Sequence, residues 1–187
     1  LRAVFFMATK LSLLLVTFSE VSMRALGLIP LLFSLAMPVM ALEAPQGPVI
    51  LTVTGNVKPA EATEGEVAFD LAMLKALPQH EIVTGNPWVD KPHKYVGPKL
   101  ADVLAAVGAD GKSITLTALN SFQIRINWDK VSKYDPILAW QDDGVTMRVR
   151  NKGPLWFILP LDQHPELKRS EFTDMMIWQL NAVDVQH

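Results

Sequence analysis

No cysteine occurs anywhere in the 187 residues. That excludes a disulfide scaffold, a thiolate zinc site, an iron–sulfur cluster and a cysteine nucleophile together. Positive charge is not in excess either: 17 Lys and Arg stand against 19 Asp and Glu, a formal net charge of −2. A general nucleic-acid binder needs a basic surface that this balance does not supply, so no nucleic-acid partner is expected. After residue 41 no long apolar run occurs, which excludes a multi-span helical membrane protein. Ser113, Ser121, Ser132 and Ser170 sit in no Gly-x-Ser-x-Gly elbow, and no glycine-rich loop is present to cradle phosphate. No catalytic residue is therefore assigned from the sequence.

What charge there is avoids the N-terminus. Residues 1–41 carry only Arg2, Lys10, Glu20 and Arg24. Met23-Arg24 is followed by an apolar core, Ala25 to Met37, and then by Pro38-Val39-Met40-Ala41. A positive start, a short apolar core and small residues before a cut after Ala41 are the marks of a secretory signal peptide over residues 23–41. The core falls short of the roughly 20 residues that a membrane span needs. Residues 1–22 hold a second apolar stretch, Leu11 to Phe18, and are read as an over-extension of the start, with Met23 as initiator. The mature chain is then expected to be periplasmic or secreted, and a cysteine-free composition fits an oxidising compartment. Only an uncleaved leader would tie it to a membrane.

Residues 42–48 read as a linker, and 49–187 as one domain of ordinary globular composition. Val49 to Thr54 is rich in β-branched residues and ends at Gly55-Asn56, a strand and its turn. A polar loop from Lys58 to Glu66 leads to Val67-Ala68-Phe69. Asp70 then caps a short helix with Leu71, Leu74 and Leu77 on one side, stopped by Pro78. Glu81 to Thr84 is a second strand, and Asp90 to Pro98, rich in Lys, Pro and His, is read as loop. Lys99 to Val107 predicts a helix with Leu100, Val103, Leu104 and Val107 on one face and Gly108 as its stop. Further strands are predicted at Ile114–Leu119, Phe122–Ile126, Val145–Val149 and Leu155–Leu159. Ile137 to Trp140 runs into a turn at Gln141-Asp142-Asp143-Gly144, and Asn151-Lys152-Gly153-Pro154 is another. Met175 to Val185 is apolar and fits either a strand or a short helix. The whole predicts an α+β domain with strands dominating and two helices.

The order of these signals is more specific than any one of them. A strand ends in Gly55, and a helix opens at Asp70. Tyr95-Val96-Gly97-Pro98-Lys99-Leu100 leads into the helix Ala101-Asp102-Val103-Leu104, which stops at Gly108. Asn120-Ser121-Phe122, Asp143-Gly144-Val145-Thr146-Met147, Lys152-Gly153-Pro154-Leu155-Trp156, Leu159-Pro160 and Trp178 follow. Over about residues 49–185 this order resembles the sulfite-oxidase family of molybdopterin-binding domains. The resemblance implies a single α+β fold of mixed β-sheets with a few short helices, and it implies molybdopterin as the family's cofactor. It also implies a cysteine ligand to molybdenum within Val83-Thr84-Gly85-Asn86-Pro87-Trp88, where this chain has none. Two cations of the family's site would fall at Trp156 and Ile177. Losing a soft anionic ligand and two cations removes the reasons such a site would hold an oxidised metal and an oxyanion.

The expectation is therefore a non-catalytic, sulfite-oxidase-like module without bound cofactor or metal. It is expected to bind a small anionic ligand or a protein partner, such as a periplasmic or membrane sensor protein, as a signalling accessory. The alternative is a molybdopterin-dependent oxidoreductase that holds its metal without cysteine, through Asn86 or Thr84. Arg148, Arg150 and Lys152 alternate with apolar residues, so a strand there would present a cationic stripe on one face. Arg125, with Asn120, Ser121 and Gln123 at the start of its strand, would border the same cleft. Asn86 and Trp88 complete the set of ligand-binding candidates. Trp140 and Trp178, in apolar runs, are read as core, whereas Trp88 and Trp128, in turns, are free to line a pocket or a partner surface. His80-Glu81, Asp90-Lys91-Pro92-His93 and Asp162-Gln163-His164 pair imidazole with carboxylate without a metal-ligand spacing, and no metal site is assigned to them.

Overall fold

A computed structural model describes residues 44–58 and 65–187. The expected over-extension and signal peptide lie outside the described residues, which belong to one compact unit. Two mixed-length sheets carry the fold. The first strand, β1 (Val49–Gly55), pairs antiparallel with β2 (Glu66–Asp70), whose last residue begins the next element. The Asp70 carboxylate accepts from Met73 N and so caps α1 (Leu71–Ala76), as the sequence predicts. Leu77, before Pro78, is extended and ends that helix. Gln46 and Gly47 also donate to Asp70 Oδ2, so the end of the expected linker is tied to the domain.

The second sheet begins with β3 (Gln79–Thr84), paired antiparallel to β4 (His93–Pro98). This corrects the reading of Asp90 to Pro98 as loop. Alternation buries Tyr95 and Gly97 and leaves Lys94 outward, but the polar residues and proline mask that period. Gly97 marks a close approach, because a Cβ there would overlap the Leu138 carbonyl. Next, α2 (Leu100–Ala106) buries Leu100, Val103 and Leu104 on the expected face, and Gly108 at φ +58 takes the left-handed stop.

Strands β5 (Ser113–Ala118) and β6 (Gln123–Asn127) form a hairpin, and one helical turn, α3 (Trp128–Val131), follows. Then come β7 (Ile137–Ala139), β8 (Gln141–Asp142), β9 (Val145–Thr146) and β10 (Leu155–Ile158). Asp143 and Gly144, at φ +46 and +82, make the two-residue turn between β8 and β9. A second helical turn, α4 (Ser170–Thr173), precedes the last strand, β11 (Trp178–Gln186). The ambiguous tail is thus a strand. The two short helices foreseen are joined by two single turns that no 3.6-residue pattern could announce.

The larger sheet has seven strands in the order β2-β1-β11-β10-β7, with β5 on β11 and β6 on β5; the smaller has four, β3-β4-β8-β9. β11 is the hub. It pairs with β5 along one edge, and on the other with β10 at Trp178 and Leu180 and with β1, in parallel, from Ala182 to Val185. Its kink is at Gln179, a non-glycine residue at φ +54. Leu51, Val53, Ile114, Leu116, Leu180 and Val183 face one shared core with Leu74, Tyr95, Leu100 and Trp156. Thr52, Thr54, Thr115 and Thr117 occupy the other face. No helix among the described residues is long and apolar enough to cross a membrane.

Candidate functional site

The loop after β3 is held by its own side chains. Asn86 Oδ1 accepts from Trp88 N at 3.0 Å, and Asn86 Nδ2 donates to the Tyr95 hydroxyl at 3.0 Å. Lys152 Nζ donates to the Trp88 carbonyl at 3.1 Å and lies 4.5 Å from the centre of the Trp156 ring. Trp88 is thereby set against Trp178, with ring centres 5.2 Å apart at 73°, and against Trp156 at 6.3 Å. Trp156 is fully buried, packs edge-on to Tyr95 and donates from Nε1 to the Met176 carbonyl at 2.9 Å. Burial pushes the Lys152 ammonium below its ordinary value, while the nearby Asp142 charge opposes the shift. Burial and the same carboxylate push the Tyr95 hydroxyl upward, so it stays protonated.

Facing this loop is the β5–β6 turn. Ser121 takes φ +66, Ser121 N donates to Ala118 O, and Asn120 Oδ1 accepts from Phe122 N at 3.1 Å. Between loop, turn and the start of β11 lies a half-open cavity of about 440 Å³. Trp88, Phe122 and Trp178 supply its rings, and Ala118, Ile124, Met176 and Ile177 its aliphatic wall. Asn120 and Asp174 are its polar lining residues. The volume lies in the range of about 300–1,000 Å³ typical of small-molecule sites.

Of the predicted site residues, Trp88 and Asn120 line this cavity, and Asn86 and Lys152 hold Trp88 in place. Ser121 sits exposed at the turn tip. Gln123 and Arg125 lie on the opposite face of β6 from Ile124 and Ile126, and Gln123 donates to Thr117 Oγ1 there. The cationic stripe does not form. β9 ends at Thr146, and Val149–Asn151 is a 3-10 turn with Lys152 at φ +65 beyond it. Arg148 and Arg150 point from that turn into solvent and share no strand face with Lys152. The Arg148 carbonyl closes the turn by accepting from Asn151 N and Gly153 N, which the β-alternation argument could not foresee.

Trp178 is another correction: it is 36% exposed and walls the cavity, whereas Trp156 takes the core place. Trp140 is half-buried, donating to Gln79 Oε1 under the Lys75 ammonium, and Trp128 packs against the core. Phe122, Asp174 and Met176 were not singled out as site residues. Phe122 is read from the sequence as the first residue of a strand, whereas β6 begins at Gln123 and leaves Phe122 in the turn before it; Asp174 carried no signal. The histidines pair differently from the sequence neighbours: His93 Nδ1 meets Asp142 Oδ1 at 2.7 Å and Asp143 Oδ2 at 3.5 Å, and His164 meets Glu166 at 3.5 Å. His80 Nε2 lies 3.4 Å from Asp102.

No family model matches this chain, and no curated protein matches it. Among solved structures it is similar to the sulfane dehydrogenase SoxCD from Paracoccus pantotrophus, with a TM-score of 0.52 and 15% sequence identity. The match covers 78% of this chain and 40% of that one, so the chain spans well under half of its neighbour's length. At this identity the likeness concerns the fold. The fold is the α+β, sulfite-oxidase-type arrangement of mixed sheets and short helices expected from the order of motifs.

The residues at the implied metal position do not fit a molybdenum centre. Thr84 is buried, its Oγ1 donating to Gly85 O and accepting from Asp162 N. Asn86 spends both ends of its amide on Trp88 and Tyr95. Neither is an anionic or soft donor. Trp156 and Ile177, at the places of the implied cations, are buried hydrophobic residues.

Proposed function

We propose that this chain is an exported, non-catalytic binding module of sulfite-oxidase-type fold that takes a small ligand in its tryptophan-walled cavity. In this reading it passes the state of that cavity to a membrane sensor protein. The observation that carries the reading is the cavity itself. Trp88, Phe122 and Trp178 are large apolar side chains left 36–55% exposed around one opening. Exposed aromatics gathered at a concave site are the usual signature of a ligand surface. The missing thiolate and the two hydrophobic residues at the implied cation positions support a role without molybdenum chemistry. An anionic ligand finds less support than the sequence suggested, because the lining includes a carboxylate and no Lys or Arg.

The reading is tested on protein produced through the export route. Metal and pterin analysis should find no stoichiometric molybdenum; about one molybdenum per chain would return the chain to the oxidoreductases. N-terminal sequencing of the same material should begin at Leu42. A start upstream of Met23 would remove both the signal peptide and the over-extended start.

A further inference from the structure

The charge and chemistry of the cavity lining specify more than a generic apolar ligand. Three aromatic side chains, Trp88, Phe122 and Trp178, converge with the two indoles at 73° to one another. Two rings so inclined, with centres 5.2 Å apart, touch edge to face and leave beside the contact a corner bounded by ring surface. Such a corner is a poor match for a flat oxyanion and a good one for a rounded cation, since ring faces carry negative electrostatic potential. The charged lining residue is Asp174, at the end of α4, and it takes part in no ion pair among the described residues. Asn120 adds an amide that can meet a hydroxyl or carbonyl. The Lys152 ammonium, which would repel a cation, is engaged by the Trp88 carbonyl and the Trp156 face and does not line the cavity.

We propose that the cavity binds an organic cation with an alkylated nitrogen, its ammonium head against the ring surfaces of Trp88, Phe122 and Trp178 that line the cavity and its charge balanced by Asp174. This rests on the binding-module reading above and names the ligand class for it. The alkylation matters: a bare ammonium would lose its hydrogen bonds to water among rings that offer none, whereas a methylated one has few to lose. Asp174 is solvent-exposed, so its share is a modest, salt-sensitive attraction, and the rings carry most of the discrimination.

Three probes of nearly equal shape separate charge from shape: choline, its neutral isostere 3,3-dimethylbutan-1-ol, and the anion 3,3-dimethylbutanoate. Each is titrated into the full exported chain at fixed ionic strength, with tryptophan emission and thermal shift as readouts. Choline should bind about tenfold more tightly than the alcohol, and the carboxylate should bind weakest. Asp174→Asn should weaken choline about two- to fivefold and leave the alcohol unchanged. Trp178→Leu should abolish the preference for choline over the alcohol. Asp174→Asn keeps shape and sits on the surface, so it stays informative even if Trp178→Leu fails to fold. Equal affinity for choline and the alcohol, a preference for the carboxylate, or no response to choline would each overturn the cation assignment. The first two would leave the binding-module reading standing, whereas stoichiometric molybdenum would remove that reading whatever the probes show.

Discussion

Gly97 shows how tightly single residues position this fold. It sits on β4 where that strand crosses β7, and a side chain there would run into the Leu138 carbonyl, which is backbone and cannot rotate away. Gly97→Ala should cost about 3–5 kcal/mol or prevent folding, the scale of severe overpacking. Gly144 is the control: nothing lies near its Cβ direction, so Gly144→Ala pays only for its φ of +82, about 1 kcal/mol. Urea denaturation of both variants checks the contrast, and equal losses would contradict the close approach. Arg150 is the opposite case. Exposed on a 3-10 turn, Arg150→Gln should change stability by less than about 0.5 kcal/mol. It should also leave thermal shifts with phosphate and sulfate unaltered. A loss of anion response would revive the cationic cleft expected from the sequence.

At the scale of elements, the loop from Gly85 to Val89 is the part whose conformation the cavity depends on. Three side chains hold it: Asn86 bridges Trp88 N and the Tyr95 hydroxyl, Lys152 donates to the Trp88 carbonyl, and Asp162 accepts from Gly85 N. Asn86→Ala leaves the buried Tyr95 hydroxyl without that donor and frees the loop, a cost of about 1–2 kcal/mol. Trp88 should then become more accessible, seen as red-shifted emission and faster acrylamide quenching; unchanged quenching would mean that the Lys152 hydrogen bond and packing on Trp178 hold the ring without Asn86. Element by element, sequence patterns were legible where one face is buried and the other solvated. That describes α2, β1 and β5, whose periods of 3.6 and 2 appear plainly. β4 was not legible, because His93, Lys94, Gly97 and Pro98 interrupt an alternation that only its pairing with β3 and β8 makes decisive. The stretch from Val145 to Lys152 failed in the other direction. Its residues alternate, but β9 has no partner beyond β8, and the chain turns after Thr146.

Across the whole molecule, acid should be the condition that unfolds this protein. Backbone N–H groups of Met73 and Gly47 hold the Asp70 carboxyl below its ordinary value, and the Lys168 ammonium with Gly85 N does the same for Asp162. Both pKa values are lower in the folded chain, so the folded state binds fewer protons. The stabilisation is complete above the unfolded values and disappears as pH falls through the folded ones. The melting temperature should stay level between about pH 5 and 7 and drop below about pH 4. Asp70→Asn should lower it at neutral pH and flatten the acid limb. An identical acid limb in that variant would show that Asp70 is not among the groups responsible.

The sequence by itself determined the class of architecture, because burial of one strand face or one helix stripe is written into local spacing. It also determined that no thiolate could bind metal here. The tertiary structure alone decided the site. Trp88 comes from a loop, Phe122 from a turn, Asp174 from the end of a single helical turn and Trp178 from the last strand. These meet only because β11 pairs with β5 on one edge and β10 on the other. No local period encodes such a meeting, since each of these side chains escapes the alternation that buries its neighbours.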